Sequence, residues 1–221
     1  MILENDCVWG TFTHRREPYL PLLEASVKKH LPHIPFIAKV QDAPINRGMY
    51  ILRQAFIESG KRFHIYMDDD IQVLDSDIIR NALETLVNGK YGLVGVYSTF
   101  DTNALTEPYD PVSKGITRRE YNGFIPGYFI CVDAEKVGDC VPDLELIYPN
   151  TAVDTSYCCS VRAKGYSIGI ADSYVYHQKK NTPVNGNEID ATNQYLMKKW
   201  GKFYFDWSVY AGCVIDWSVV V

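Results

Sequence analysis

The sequence has no CxxC pair, no glycine-rich phosphate loop and no apolar run near the length of a membrane span. Each absence removes a class. The six cysteines (Cys7, Cys131, Cys140, Cys158, Cys159 and Cys213) follow neither zinc-ligand spacing nor a regular disulfide framework. Cys7, Cys131 and the Cys158-Cys159 pair sit among apolar residues, as small hydrophobes do, so a reducing compartment, the cytoplasm, is expected. The opening MILENDCVWG carries acidic residues where a secretion signal needs a basic and then a long apolar region. No run reaches about 18 apolar residues, so no transmembrane segment is expected. Basic residues are scarce too. There are 22 lysines and arginines against 27 aspartates and glutamates, a net charge of −5. No basic cluster is longer than a pair, such as Arg15-Arg16, Arg118-Arg119 and Lys179-Lys180, so no nucleic-acid partner is expected.

What is present is a chain of 221 residues, 47% hydrophobic, enough for one well-packed domain. Strand-like and helix-like stretches alternate. CVWGTFT (7–13), IPFIAKV (34–40), RFHIYM (62–67), YGLVGVYS (91–98) and GYFICVD (127–133) read as strands, with YSIGIA and SYVYH as two short ones near the end. Helices are expected over 18–30, over a face marked by Ile45, Met49, Leu52 and Phe56 and closed by Gly60, and over Ile79, Ala82, Leu83 and Leu86. Asp75 or Ser76 would cap the third of these. A helix at 152–164 ends at Gly165, and EIDATNQYLMKKWG makes another. Residues 100–124 form a polar loop of the length that binding loops have. This alternation predicts an α/β fold: a mostly parallel sheet with helices on both faces, covering 1–205, and a C-terminal apolar arm over 206–221. Ligands of such sheets bind at the carboxyl ends of the strands.

At one of those ends stands FHIYMDDDIQVL, three carboxylates behind a short apolar run. An EF-hand does not fit, because DDDIQVLDSDII lacks the glycine at its sixth position and the final glutamate. Neither G-x-G-x-x-G nor G-x-x-x-x-G-K-[ST] occurs, so a backbone cradle for phosphate is not expected. A divalent cation held by hard oxygens is the alternative device for a diphosphate. Side chains alternate along a strand end, so Asp68 and Asp70 converge while Asp69 points elsewhere. The other reading of the triplet is a solvated acidic cap on the next helix. His177, ending SYVYH, belongs to the same sheet edge and can complete the metal set as a nitrogen ligand. Lys179 and Lys180 follow at once, placed to meet phosphates. In YPNTAVDTSYCC, Asp154 opens a helix, whose N-terminus keeps a carboxylate ionised and able to take a proton from a hydroxyl. Thr151-x-x-Asp154 also fits a capping box, which needs no chemistry.

FHIYMDDDIQVL, GYFICVDAEKVGD, VDTSYCCSVRAKGYSIGIADSYVYH and the final KKWG, in that order, resemble the GT-A class of nucleotide-sugar glycosyltransferases, particularly family 2-like members, over residues 5–205. The resemblance implies a UDP-sugar donor, a Mn²⁺ or Mg²⁺ ion on its diphosphate, and a carbohydrate acceptor. It makes Asp70 a direct metal ligand and puts Asp68 at the ribose or a metal-bound water, with Asp69 in the same nucleotide-binding turn. Thr11 and Thr13 would line the base and ribose site, and Arg53 would help to hold the nucleotide. Pro126, Gly127 and Tyr128 would border the donor sugar and acceptor, with Asp154 as the catalytic carboxylate. Val153 stands where the class has a glutamate. The implied reaction is one sugar transfer with inversion. A sugar nucleotidyltransferase is the nearest rival, although TFTHRREPYL lacks that class's glycines. A GT-A-like module that only binds is the second rival.

Overall fold

The structure is a computed structural model that describes residues 3–13, 19–41, 43–100, 119–120, 125, 127–177 and 186–204. Its strands are β1 (Cys7–Thr13), β2 (Phe36–Gln41), β3 (Phe63–Asp68), β4 (Ile71–Val73), β5 (Tyr91–Phe100), β6 (Arg119–Glu120), β7 (Phe129–Asp133) and β8 (Ser167–His177). Its helices are α1 (Leu20–His30), α2 (Ile45–Glu58), α3 (Ile78–Val87), α4 (Ala134–Val137), α5 (Val153–Ala163) and α6 (Gly186–Trp200). One sheet runs in the order β2-β1-β3-β7-β5-β8-β4, with β6 added on β8. The run of β1 with β2 and β3 is parallel, as is that of β5 with β8, whereas β7, β4 and β6 are antiparallel to their neighbours. The expected sheet class stands, with three reversed strands.

Period two decides which side chain faces which layer. Cys7, Trp9, Phe63, Ile65 and Met67 pack toward α1 and α3, joining Leu23, Val27, Ile79 and Leu83. Val8, Phe12 and Tyr66 face the opposite layer, with Met49, Leu52 and Phe56 of α2 and Tyr157, Cys158 and Val161 of α5. Gly10 lies where α2 crosses β1. A Cβ there would fall 2.4 Å from Leu52 Cδ1 and 2.8 Å from the Ala38 carbonyl oxygen, so only glycine lets helix and strand approach. The helix stops read from Gly60 and Gly165 are present, with φ of 68° and 92°.

Three local expectations change. YSIGIA and SYVYH are one strand, β8, because the β5 pairing jumps from Gly95↔Ile170 to Tyr97↔Tyr174 and absorbs the polar Asp172-Ser173 pair as an irregularity. Asn81 Nδ2 holds that irregularity through the Asp172 carbonyl (3.1 Å) and the Ser173 hydroxyl (2.9 Å). Neither Asp75 nor Ser76 caps α3, whose N-cap is Asp77 without a side-chain bond; the Ser76 hydroxyl meets His30 Nδ1 instead, at 3.3 Å. Within 100–124, residues 119–120 pair with β8, and 101–118 and 121–124 lie outside the described residues. The arm at 206–221 also lies outside them. No helix among the described residues is long and apolar enough to cross a membrane.

Candidate functional site

Strand direction gathers the chemistry at one sheet edge. β1 and β3 run parallel with Phe12 beside Asp68, so Thr13 and the aspartates emerge together. β7 runs the other way and begins at this edge, where Phe129 pairs with Met67 and the Tyr128 carbonyl accepts the Asp68 N–H at 3.1 Å. β4 likewise starts at this edge, with Ile71 opposite His177, the last residue of β8. The three aspartates thus occupy a turn between strands rather than a helix cap.

Their side chains part company. Asp69 turns to the Thr13 hydroxyl, which donates to its Oδ2 and ties the turn to the end of β1. Asp70 Oδ1 lies 3.4 Å from His177 Nε2, joining residues 107 positions apart in sequence by pairing of strand ends. The Tyr128 ring lies 5.2 Å from the imidazole, centroid to centroid, and its hydroxyl donates to the Val96 carbonyl at 2.9 Å. Asp68 takes the other direction: its Oδ2 is 4.0 Å from the point where a side chain on Gly127 would begin. Asp154 Cβ is 3.9 Å from that same point, so Gly127 leaves a gap flanked by two carboxylates.

Asp154 is the second residue of α5, and the capping box read from Thr151 does not form. Its Oδ1 accepts the Thr155 N–H at 2.8 Å and its Oδ2 accepts the Gly127 N–H at 3.2 Å. The helix N-terminus was expected to hold its pKa down. Burial outweighs those two donors and pushes it up, from 3.8 to about 6. Ala152, just before the helix, has φ 53° and ψ 32°, a left-handed conformation that costs a non-glycine residue about 1 kcal/mol. A carboxylate poised near neutrality beside a strained turn is a common arrangement at sites of proton transfer.

Not every residue assigned from sequence comes to this edge. Thr11 is fully buried, its hydroxyl 3.4 Å from the Phe12 carbonyl, so it lines no open site. Arg53 is also elsewhere: its guanidinium donates to the Gly138 carbonyl, just past α4. α4 follows β7, whose last residue sits beside Phe63 at the start of β3, so Arg53 reaches the opposite end of the sheet from Asp68. The helical arginine ties α2 to the turn after α4 at that end. β3 ends at Asp68, so Asp69 and Asp70 lie in the turn beyond it, where strict alternation along a strand no longer sets side-chain direction. Pro126, Lys179 and Lys180 lie outside the described residues. Among the described residues no three His, Cys, Asp or Glu side chains form a cluster able to hold a metal ion. The Asp70–His177 pair still offers one hard oxygen and one imidazole nitrogen, a donor set that suits Mn²⁺.

No protein-family model matches the sequence, and no curated protein matches it. Solved structures do match. S. aureus TarS 1–349 in complex with UDP-GlcNAc superposes with a TM-score of 0.58 at 13% identity, covering 87% of this chain and 66% of that one. A197 from STIV superposes at 0.54 and 15% identity, over 79% of this chain and 86% of that one. The fold is the GT-A fold. The chain spans 66% of that TarS 1–349 chain and 42% of a further S. aureus TarS structure. In the GT-A sheet of this protein the antiparallel β7 is what carries Gly127 and Tyr128 between the aspartate turn and Asp154.

One group of residues near α5 carried no sequence signal. Asp143, 6% exposed, receives the Tyr195 hydroxyl at 3.0 Å and the Lys199 ammonium at 2.9 Å, both from α6. Lys199 belongs to the KKWG stretch, but nothing in sequence links it to a carboxylate 56 residues earlier.

Proposed function

We propose that this protein transfers a single sugar from a nucleotide-diphosphate sugar, a UDP-sugar, to a hydroxyl of a carbohydrate acceptor, with inversion at the anomeric carbon. The observation that carries the reading is the placement of Asp154, its pKa raised to about 6, against Gly127 at the edge that also holds the Asp70–His177 pair. TarS, of the same fold, has been seen in complex with UDP-GlcNAc and with UDP, which supports the choice of donor.

The roles follow from the chemistry of each group. Asp154, ionised above about pH 6, accepts the proton of the acceptor hydroxyl as that oxygen attacks the anomeric carbon. The Gly127 and Thr155 amides fix its two oxygens, so the carboxylate meets the acceptor in one orientation. The reacting sugar would sit beside Gly127, where Asp68 could accept a hydrogen bond from a ribose or sugar hydroxyl. Thr13 engages Asp69, and Asp70 with His177 is the pair that would hold a divalent cation. Such a cation, Mn²⁺ or Mg²⁺, would supply positive charge for the departing diphosphate. Lys179 and Lys180, two and three residues after His177, would reinforce that charge. Val153, in the place of the class's glutamate, is 3% exposed and packs into the core, so Asp154 would work without an acidic neighbour on its helix.

The test is release of UDP from a panel of UDP-sugars, with and without Mn²⁺, by the wild type and by Asp154→Asn. Release that needs Mn²⁺ and falls at least about 100-fold in the variant supports the proposal. Tight UDP binding with no release from any sugar would make the chain a binding module. Pyrophosphate-dependent formation of UTP would make it a nucleotidyltransferase.

A further inference from the structure

We propose that Asp143 is a positioning residue for Asp154, acting with Lys199 as a latch that holds the strained entry to α5 in its reactive shape. The proposal rests on the reading of Asp154 as the base. Asp143 joins three helices. Its N–H donates to the Ser156 hydroxyl at 3.1 Å, in the first turn of α5 and two residues from Asp154. Its carbonyl accepts from Asn46 Nδ2 at 3.1 Å, in the first turn of α2. Its Oδ1 accepts the Glu145 N–H at 2.9 Å, while Oδ2 receives Tyr195 and Lys199 from the last turns of α6. Lys199 also reaches Glu145, at 3.1 Å.

The segment between Asp143 and Asp154 needs this support. Ala152 is the only described non-glycine residue with positive φ, and α5 begins without a side-chain cap. A left-handed alanine persists only when its surroundings over-determine it. The surroundings here are the Asn46 N–H on the Pro149 carbonyl (3.1 Å), the Ile45 N–H on Asn150 Oδ1 (2.8 Å), and the Asp143–Ser156 bond. Asp143 is the member that connects this set to α6. Released from the latch, Ala152 relaxes toward the right-handed region, the first turn of α5 shifts, and Asp154 loses its line to the Gly127 amide.

A salt bridge that merely docks α6 would give a different pattern, and glycine separates the two. Asp143→Asn and Lys199→Met are assayed for UDP release and for exchange of the Gly127 amide by NMR. Lys199 is exposed, so its variant stays folded if Asp143→Asn does not. The latch predicts a kcat lower by about 10- to 100-fold with donor KM unchanged, and faster exchange at Gly127 while β3 amides stay protected. Adding Ala152→Gly restores both, because glycine holds a left-handed turn unaided. In an Asp154→Asn background the latch substitutions change the residual rate less than about twofold, since they act through that carboxylate. A loss that Ala152→Gly does not repair, or that persists in that background, overturns the latch and leaves a docking salt bridge. If Asp154→Asn itself keeps the full rate, the base reading falls, and the latch with it.

Discussion

Asp154 shows how one residue's environment sets both its chemistry and its cost to stability. Its folded-state pKa, about 6, lies above the ordinary 3.8. Folding therefore takes up a proton between those values, and the stability that proton contributes is full below pH 3.8 and lost as pH rises through 6. At neutral pH the ionised carboxylate is a net burden. A rise of about two units corresponds to at most roughly 3 kcal/mol, and an amide in its place gives up one accepted backbone bond worth about 1 kcal/mol. Asp154→Asn is thus expected to melt higher than wild type at pH 7.5 and no higher at pH 4, although it loses transfer. Melting curves across that range check the sign; a variant less stable at pH 7.5 would mean the carboxylate is well solvated. The sequence suggested the residue but misjudged its pKa. Helix-end electrostatics can be read from position, whereas burial cannot.

At the scale of elements, the site depends on close contacts made far from it. Gly10 lets α2 lie on β1, and α2's first turn supplies the Asn46 and Ile45 bonds to the loop before α5. Gly10→Ala would force a methyl against Leu52 and the Ala38 carbonyl, an overpacking expected to cost about 1–3 kcal/mol. Thermal or denaturant unfolding would show it; an unchanged midpoint would mean α2 moves outward freely. The opposite sheet end is pinned in a different way. Asp133, fully buried, takes two bonds from Arg62 at 3.0 and 2.8 Å and caps α4, fixing the antiparallel β7 at its far end. That anchor keeps Gly127 and Tyr128 at the other end of β7 level with Asp68.

For the whole molecule, the proposal makes ligand binding a matter of folding stability. A ligand that binds only the folded state at about 100 times its Kd adds roughly 2.7 kcal/mol, or about 5–10 °C for a domain of this size. UDP with Mn²⁺ should raise the melting temperature by that order, and UDP alone by much less. Asp70→Ala should erase the difference while leaving the melting temperature of the free protein nearly unchanged. No shift with any nucleotide would return the aspartate turn to the role of a solvated acidic loop.

The alternation of strands and helices, the periodic apolar faces, the glycine stops and the acidic turn at a strand end were all legible, because each depends on neighbours within a few residues. So was the joint placement of Asp68, Asp70 and His177 at one edge, since parallel strands must end on the same side. What the tertiary structure alone decided is how those groups divide. It sent Asp69 to Thr13, paired Asp70 with His177, turned Asp68 toward Gly127, and sent Arg53 to the far end of the sheet. Those outcomes depend on strand order, on the reversed β7 and on which helix crosses which strand. Contacts between residues 50 to 110 positions apart leave no periodic trace in a single chain, and burial, which raises the pKa of Asp154, is the sum of many such contacts.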